Sequence, residues 1–321
     1  MNAERKPCVF FFAGRKGAVP LPWRDALCAR LPPRIAKLLR ALDDADAARL
    51  TELRFHRDRP VELVFADVSQ EVPPVMDAKE MDALLAALSG YALYACESQM
   101  AEGYIPLGNG HRAGVCGRLV QGESGARMSG VSSVCVRVAR HVPGASLALR
   151  PHLLDARGKP RRALILGAPG SGKTTALRDA AVYLSDECGL HVAVADEREE
   201  LFGGCIPPKL ARRVDVLAGA DKAAAVRMLL RAMAPEVIVT DELGKPEDVD
   251  ALLDTARCGV GLIASAHAGG MEDALRRPAL RALIDARAFD RYLHIGVYAS
   301  LLGAWDESGR EVGRWSHGTS P

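Results

Sequence analysis

The chain has 321 residues, 49% of them apolar, with 42 Lys and Arg against 40 Asp and Glu, which excludes a disordered chain. A net charge of +2 also excludes a protein that coats nucleic acid with its whole surface. The longest stretches without Asp, Glu, Lys or Arg hold 14 residues (Ala83 to Cys96 is one), short of the roughly 18 to 20 that span a bilayer.

The first residues carry Arg5, Lys6 and the apolar run Cys8 to Ala13, which Arg15 and Lys16 end too early for a signal peptide. Residues 1–30 are therefore expected to form an uncleaved extension. Ile35, Leu38, Leu39, Leu42 and Leu50 recur at helical spacing, and Leu53 to Phe65 alternates as two strands around Asp58-Arg59-Pro60. Asp77 to Leu88 is a predicted helix with Asp77 as N-cap and Met81, Leu84, Leu85 and Leu88 on one face. A helix over Tyr91 to Ala101 follows, then two short strands joined at Gly108-Asn109-Gly110, then the β-branched run Val131 to Ala139. Pro143, Gly144, Pro151, Gly158 and Pro160 mark a linker.

Beyond it, apolar strands (163–166, 192–195, 237–240, 262–266, 292–295) alternate with helices (173–185, 222–233, 247–256, 271–286). Short, wholly apolar strands alternating with helices predict a mainly parallel sheet covered on both faces. The expected fold class is α/β, a P-loop domain preceded by a smaller α+β N-terminal domain. The expected boundaries are 1–30 extension, 31–145 N-terminal domain, 146–162 linker, 163–306 P-loop domain and 307–321 frayed tail. The eight cysteines are scattered, with no CxxC, which excludes a thiolate metal cluster and suits buried thiols in a reducing cytosol.

Gly167-Ala168-Pro169-Gly170-Ser171-Gly172-Lys173-Thr174 fits GxxxxGK[ST] between a predicted strand and a predicted helix. Its glycines let backbone N–H groups turn toward phosphate oxygens at a helix N-terminus. Gly167 to Thr175 are the predicted ATP-binding residues, with Lys173 on the β- and γ-phosphates and the Thr174 hydroxyl on Mg²⁺. The partner is Val237-Ile238-Val239-Thr240-Asp241-Glu242, an apolar strand ending in two carboxylates. Asp241 is predicted to hold Mg²⁺ and Glu242 to polarise the attacking water, a pairing that favours hydrolysis over transfer to a metabolite. Two other strand ends reach the same crevice, and they make Glu197 and His267 catalytic candidates, with Arg198 as the residue that would neutralise Glu197.

These motifs resemble the ATPases of type II and type IV secretion and pilus retraction, ring-forming P-loop enzymes with a RecA/AAA+-like core. Within that group the likeness is to the branch serving endospore formation. It spans about Ile35 to Ile295 and rests on ordered strings: Leu53-Arg54 with Arg59-Pro60, Gly110-His111-Arg112, Gly117-Arg118, Val136 to Arg140, Asp196-Glu197-Arg198, Arg213 with Asp215-Val216-Leu217, Arg231 to Pro235, Asp241-Glu242 and Ala266-His267. Residues 203–210 and the first 30 depart from the pattern. The resemblance implies a hexameric cytoplasmic ATPase at the inner face of a membrane, serving the membrane-embedded channel apparatus between mother cell and forespore.

From Arg112 to Arg162 there are ten Lys or Arg against two acids. By resemblance, arginines of the N-terminal domain complete a neighbour's site, which makes Arg137 and Arg140 candidate arginine fingers and Arg112 and Arg118 their reserves. Two other readings stay open: a nucleic-acid-stimulated ATPase or translocase, and a scaffold that binds ATP with little turnover.

Overall fold

The computed structural model describes residues 22–65, 68–122, 125–139, 141–203, 211–243 and 246–314. The N-terminal run Cys8 to Ala13 and the departing loop 204–210 lie outside the described residues.

Three helices open the described chain: α1 (Pro22–Cys28), α2 (Pro33–Ala41) and α3 (Asp44–Arg49). The extension expected over 1–30 therefore ends in a packed helix, with Trp23, Leu27 and Cys28 buried in the same core as Ile35 and Leu39. Seven residues are too few for the periodicity to register. Helix is interrupted between Ile35 and Leu50 because Leu42 is extended (φ −64°, ψ 136°) and the Asp43 carboxylate accepts from the Asp46 N–H at 2.7 Å, starting a new helix. Leu50, read as helical, begins β1 (Leu50–His56).

β2 (Pro60–Phe65), β3 (Ser69–Val75), α4 (Ala78–Leu88), α5 (Glu97–Ala101), β4 (Tyr104–Gly108), β5 (His111–Gly122) and β6 (Gly125–Arg137) complete this half. Asp77 caps α4 as expected, accepting from the Glu80 N–H at 2.8 Å. The helix expected from Tyr91 starts later, because Tyr91 is left-handed (φ 62°) and a short 3-10 turn, Leu93–Cys96, precedes α5. The strands form an antiparallel sheet in the order β3-β2-β1-β6-β5-β4. β5 and β6 make one long hairpin with a bulge at Gly117, where a Cβ would lie 2.8 Å from the Val131 Cα.

The segment expected as linker is packed onto the second half. It forms α6 (Arg150–Leu153), and Leu149 and Leu153 are fully buried. The second half runs β7 (Arg162–Gly167), α7 (Lys173–Asp186), β8 (Val192–Asp196), β9 (Val214–Ala218), α8 (Lys222–Ala232), β10 (Val237–Leu243), α9 (Pro246–Arg257), β11 (Gly261–His267), α10 (Met271–Arg276), α11 (Pro278–Asp285), β12 (Arg291–Ile295), β13 (Leu301–Asp306) and β14 (Glu311–Arg314). The sheet order is β14-β13-β12-β7-β11-β10-β8-β9, parallel from β12 to β9 and closed by an antiparallel hairpin. β14 corrects the expected frayed tail: Gly303 to Trp305 pair with Glu311 to Arg314. The helix expected over 271–286 is two, since Pro278 holds Arg277 in an extended conformation. Apolar side chains fill both faces of the parallel sheet.

The halves touch beside the site. The Gly108-Asn109-Gly110 turn lies against residues 200–203, so tightly that a Cβ on Gly203 would sit 2.7 Å from the Gly110 nitrogen. Arg112 spans the same contact, 2.7 Å from the Glu200 carboxylate and stacked 4.0 Å from the centroid of Tyr104.

Candidate active site

β7 delivers Gly167 to the carboxyl edge of the sheet, and the chain turns through Ala168, Pro169, Gly170, Ser171 and Gly172 into α7. Gly170 and Gly172 are left-handed (φ 76° and 97°), which glycine adopts without penalty. Ala168, Pro169 and Gly170 are exposed, Thr175 is half-buried, and Lys173 is 6% exposed. The three donors of the Lys173 ammonium are used within the chain, on the carbonyls of Gly167 and Ala168 at 2.9 Å each and on His267 Nδ1 at 3.0 Å. Burial lowers its pKa from the usual lysine value, opposed by the charges of Asp241 and Glu242.

An ammonium only donates, so His267 Nδ1 accepts, and a neutral ring carries its proton on Nε2, 3.4 Å from Glu242 Oε1. Asp241 is fixed by three donors: the Thr174 hydroxyl on Oδ2 at 2.7 Å, and the Ser265 hydroxyl and the Glu242 N–H on Oδ1. β10 leaves its register with β11 between Thr240 and Leu243, and Glu242 is left-handed there (φ 45°). Lys222, at the start of α8 and 4% exposed, donates to the Glu242 carbonyl at 2.6 Å. Its ammonium also lies 3.6 Å from Glu197 and 4.0 Å from Asp248. The expected Glu197–Arg198 pairing gives way to a different one. Glu197 faces Lys222, while Arg198 binds Glu242 Oε2 at 2.6 Å. Glu197, Arg198, Lys222, Glu242, His267 and Arg277 line one cleft of ≈ 320 Å³.

Other side chains shape the site from outside the predicted site residues. Asp196 accepts from the N–H groups of Leu201, Phe202 and Gly203 at 2.8–3.0 Å, shaping the loop beneath the Gly110 turn. Arg178 binds the carbonyls of Leu201 and Glu200 at 2.5 and 2.6 Å, and burial pushes its guanidinium down to about 10. Asp179 is 2% exposed and gathers His141 Nε2 and the Gly144 N–H on Oδ1 and the Ser146 N–H and hydroxyl on Oδ2, at 2.5–3.0 Å. Burial alone would raise its pKa, yet these hydrogen bonds hold it below the usual carboxylate value. Lys222, Arg178 and Asp179 read in the sequence as ordinary polar positions of amphipathic helices, and only the fold shows their partners.

The basic segment does not form one patch. Arg150 pairs with Glu187 and stacks on Tyr183, Arg162 pairs with Asp290, and Arg112 is tied to Glu200. Arg118, opposite Ser129, lies roughly 23 Å along β5 from His111 at about 3.3 Å per residue. Arg137 is 70% exposed, 3.9 Å from Glu52, and lines a cavity of ≈ 280 Å³ with Thr174, Thr175 and Arg178 of its own chain. Arg140 lies outside the described residues. No helix among the described residues is long and apolar enough to cross a membrane.

The family described as "Sporulation stage III, protein AA" matches residues 24–312. Stage III sporulation protein AA of Bacillus subtilis is 34% identical over 273 residues, 83% of this chain and 88% of that one. The fold is similar to that of the ATPase DotB from Legionella pneumophila (TM-score 0.54, 16% identity, 86% of this chain and 81% of that one). DotB from Yersinia pseudotuberculosis is similar in the same way (TM-score 0.55, 13% identity, 80% and 76%). By the extent of both sequence matches, the chain belongs to the stage III sporulation protein AA family.

Proposed function

We propose that this chain hydrolyses ATP with Mg²⁺ as one subunit of a ring, a hexamer by resemblance, that moves its N-terminal half to serve a membrane-embedded channel apparatus. The observation that carries this reading is the hydrogen bond between Thr174 Oγ1 and Asp241 Oδ2, beside Lys173 at the head of α7. A hydroxyl and a carboxylate on adjoining elements beside a phosphate loop suit an octahedral cation that keeps several waters and is shared with phosphate oxygens. The residues fit such a ligand. The Ser171 hydroxyl is buried in the loop without a hydrogen-bond partner among the described residues, and Lys173 satisfies itself on loop carbonyls that a phosphate would replace. Among the described residues no three His, Cys, Asp or Glu group together as an all-protein metal cage, consistent with a cation held partly by substrate.

When bound, Mg²⁺ neutralises charge on the β- and γ-phosphates. Thr174 and Asp241 would hold it. Lys173 turns its donors from the Gly167 and Ala168 carbonyls to phosphate oxygens. Glu242 Oε1, beside His267 Nε2, takes the proton of the attacking water, and His267 relates Glu242 to Lys173. Glu197 acts through Lys222, not on the substrate. Arg137 lines one cavity with Thr174 and Thr175 of its own chain, which supports a role in cis as an alternative to the trans arrangement that the resemblance implies.

The test is ATPase rate per subunit across a protein concentration series, with and without single-stranded DNA or RNA. A rate per subunit that rises with concentration supports a catalytic ring. Strong stimulation by nucleic acid overturns it in favour of a translocase, and ATP binding with negligible turnover at every concentration leaves a scaffold.

A further inference from the structure

The cleft and the cavity beside Arg137 account for the γ-phosphate end of a nucleotide and for one flank of α7. The opposite flank carries a different feature. After β12 the chain makes a turn at Val297, Tyr298 and Ala299, and two successive residues there, neither of them glycine, are left-handed: Tyr298 (φ 58°, ψ 31°) and Ala299 (φ 58°). Such a pair persists only where surrounding structure enforces it, and strained backbone collects at ligand sites. What enforces it here is the phosphate loop. The Ala299 N–H donates to the Ser171 carbonyl at 2.9 Å, and a Cβ on Gly172 would meet the Ala299 nitrogen at 3.2 Å. Val297 and Tyr298 are 61% and 73% exposed, so the turn presents two large side chains to solvent at the edge of the loop.

The sheet order gives this position a meaning. β7 lies between β11 and β12. Asp241, Glu242 and His267 end β10 and β11 on one side of it, which fixes where the γ-phosphate points. A nucleoside triphosphate is an extended chain, so its nucleoside leaves the loop on the side away from those groups. That is the side of β12 and its turn.

We propose that the Val297–Ala299 turn is the nucleoside platform of this site, with the Tyr298 ring stacking on the purine base. This rests on the phosphate-loop reading above and adds a subsite to it. A base stacked on an aromatic ring gains about 5- to 150-fold in affinity, whichever purine it is, since every base has a π-face.

The experiment is equilibrium binding of ATP, GTP and inorganic tripolyphosphate, each with Mg²⁺, to the full chain. The proteins are wild type, Tyr298→Gly, Tyr298→Phe and Lys173→Ala. Glycine removes the ring and relaxes the left-handed backbone, so the turn keeps its shape, and a melting temperature equal to or above wild type verifies this. Expected is a loss of about tenfold or more for ATP and GTP in Tyr298→Gly, near-wild-type binding in Tyr298→Phe, and unchanged tripolyphosphate affinity in both. Equal losses for ATP and tripolyphosphate, or no loss for ATP, overturn the platform. If wild type binds tripolyphosphate and Lys173→Ala does not, the phosphate loop stands whatever Tyr298 does. If Lys173→Ala binds every ligand as wild type does, the phosphate-loop reading fails and takes the platform with it.

Discussion

The Lys222 ammonium and the Glu242 backbone are joined by a 2.6 Å hydrogen bond, and Glu242 is left-handed (φ 45°) where the bond is made. A buried cation holds a carbonyl turned so that the carboxylate of the same residue projects into the cleft between Arg198 and His267. Lys222→Met removes both this bond and the positive charge facing Glu197 and Asp248. Melting should report a loss of about 3 kcal/mol, the scale for breaking a buried ion pair. At a temperature where the variant is folded, kcat should fall roughly 10- to 100-fold with KM for ATP little changed, because misplacing the base leaves phosphate binding intact. A stable variant with wild-type kcat would show that Glu242 keeps its pose without the lysine.

Glu242→Gln keeps the shape of the side chain and removes its basicity. ATP affinity should stay within about threefold of wild type while single-turnover hydrolysis slows by roughly 10²- to 10⁴-fold. Hydrolysis at the wild-type rate would remove Glu242 as the proton acceptor.

His111 is 2% exposed, and its Nδ1 accepts from the Ala139 N–H at 3.0 Å. Burial, reinforced by the charge of Arg178, pushes its imidazole down to about 4. The unfolded chain, with an ordinary histidine near 6.5, takes up the proton first as pH falls. The stability this neutral imidazole secures is therefore full above about 6.5 and is lost progressively between about 6.5 and 4, by about 3 kcal/mol in all. Urea midpoints at pH 7.5, 5.5 and 4.5 should fall in step in wild type and fall less in His111→Asn, which keeps an acceptor for Ala139. Identical pH profiles for the two proteins would mean that His111 is not the group responsible.

Arg137 shares a cavity with Thr174 and Thr175 of its own chain. Arg137→Ala should lower kcat by about 10³-fold or more if it meets the developing phosphate charge. Mixed with Lys173→Ala, it should show no recovery of activity at any ratio. Doping wild type with Lys173→Ala monitors co-assembly in the same mixtures. Recovery in the first mixture would put the arginine across an interface instead.

Sequence made the outline of the second half readable because its strands are short, wholly apolar and separated by helices, and because the candidate phosphate loop combines spacing with context. Asp241 and Glu242 followed from that loop. Less legible were elements whose signal is brief or non-local. α1 is one apolar face of seven residues, and β14 is a short strand whose neighbour is supplied by tertiary pairing. The Glu197–Lys222 and Arg198–Glu242 pairs join residues 25 and 44 positions apart, so adjacency in the sequence suggested the wrong partner for Glu197. Tyr298 lay outside every motif, and its interest comes from a backbone angle that composition does not reveal.

Asp179 lies six residues below Lys173 on α7, about 9 Å down the helix axis at 1.5 Å per residue. The helix is thus fastened twice, to the phosphate loop at its head and to residues 141–150 partway along. A rod pinned at two points cannot swivel about one without dragging the other. The connector to the N-terminal sheet is thereby anchored to the same helix whose first residue is Lys173, and Asp179 is the carboxylate that makes the anchor.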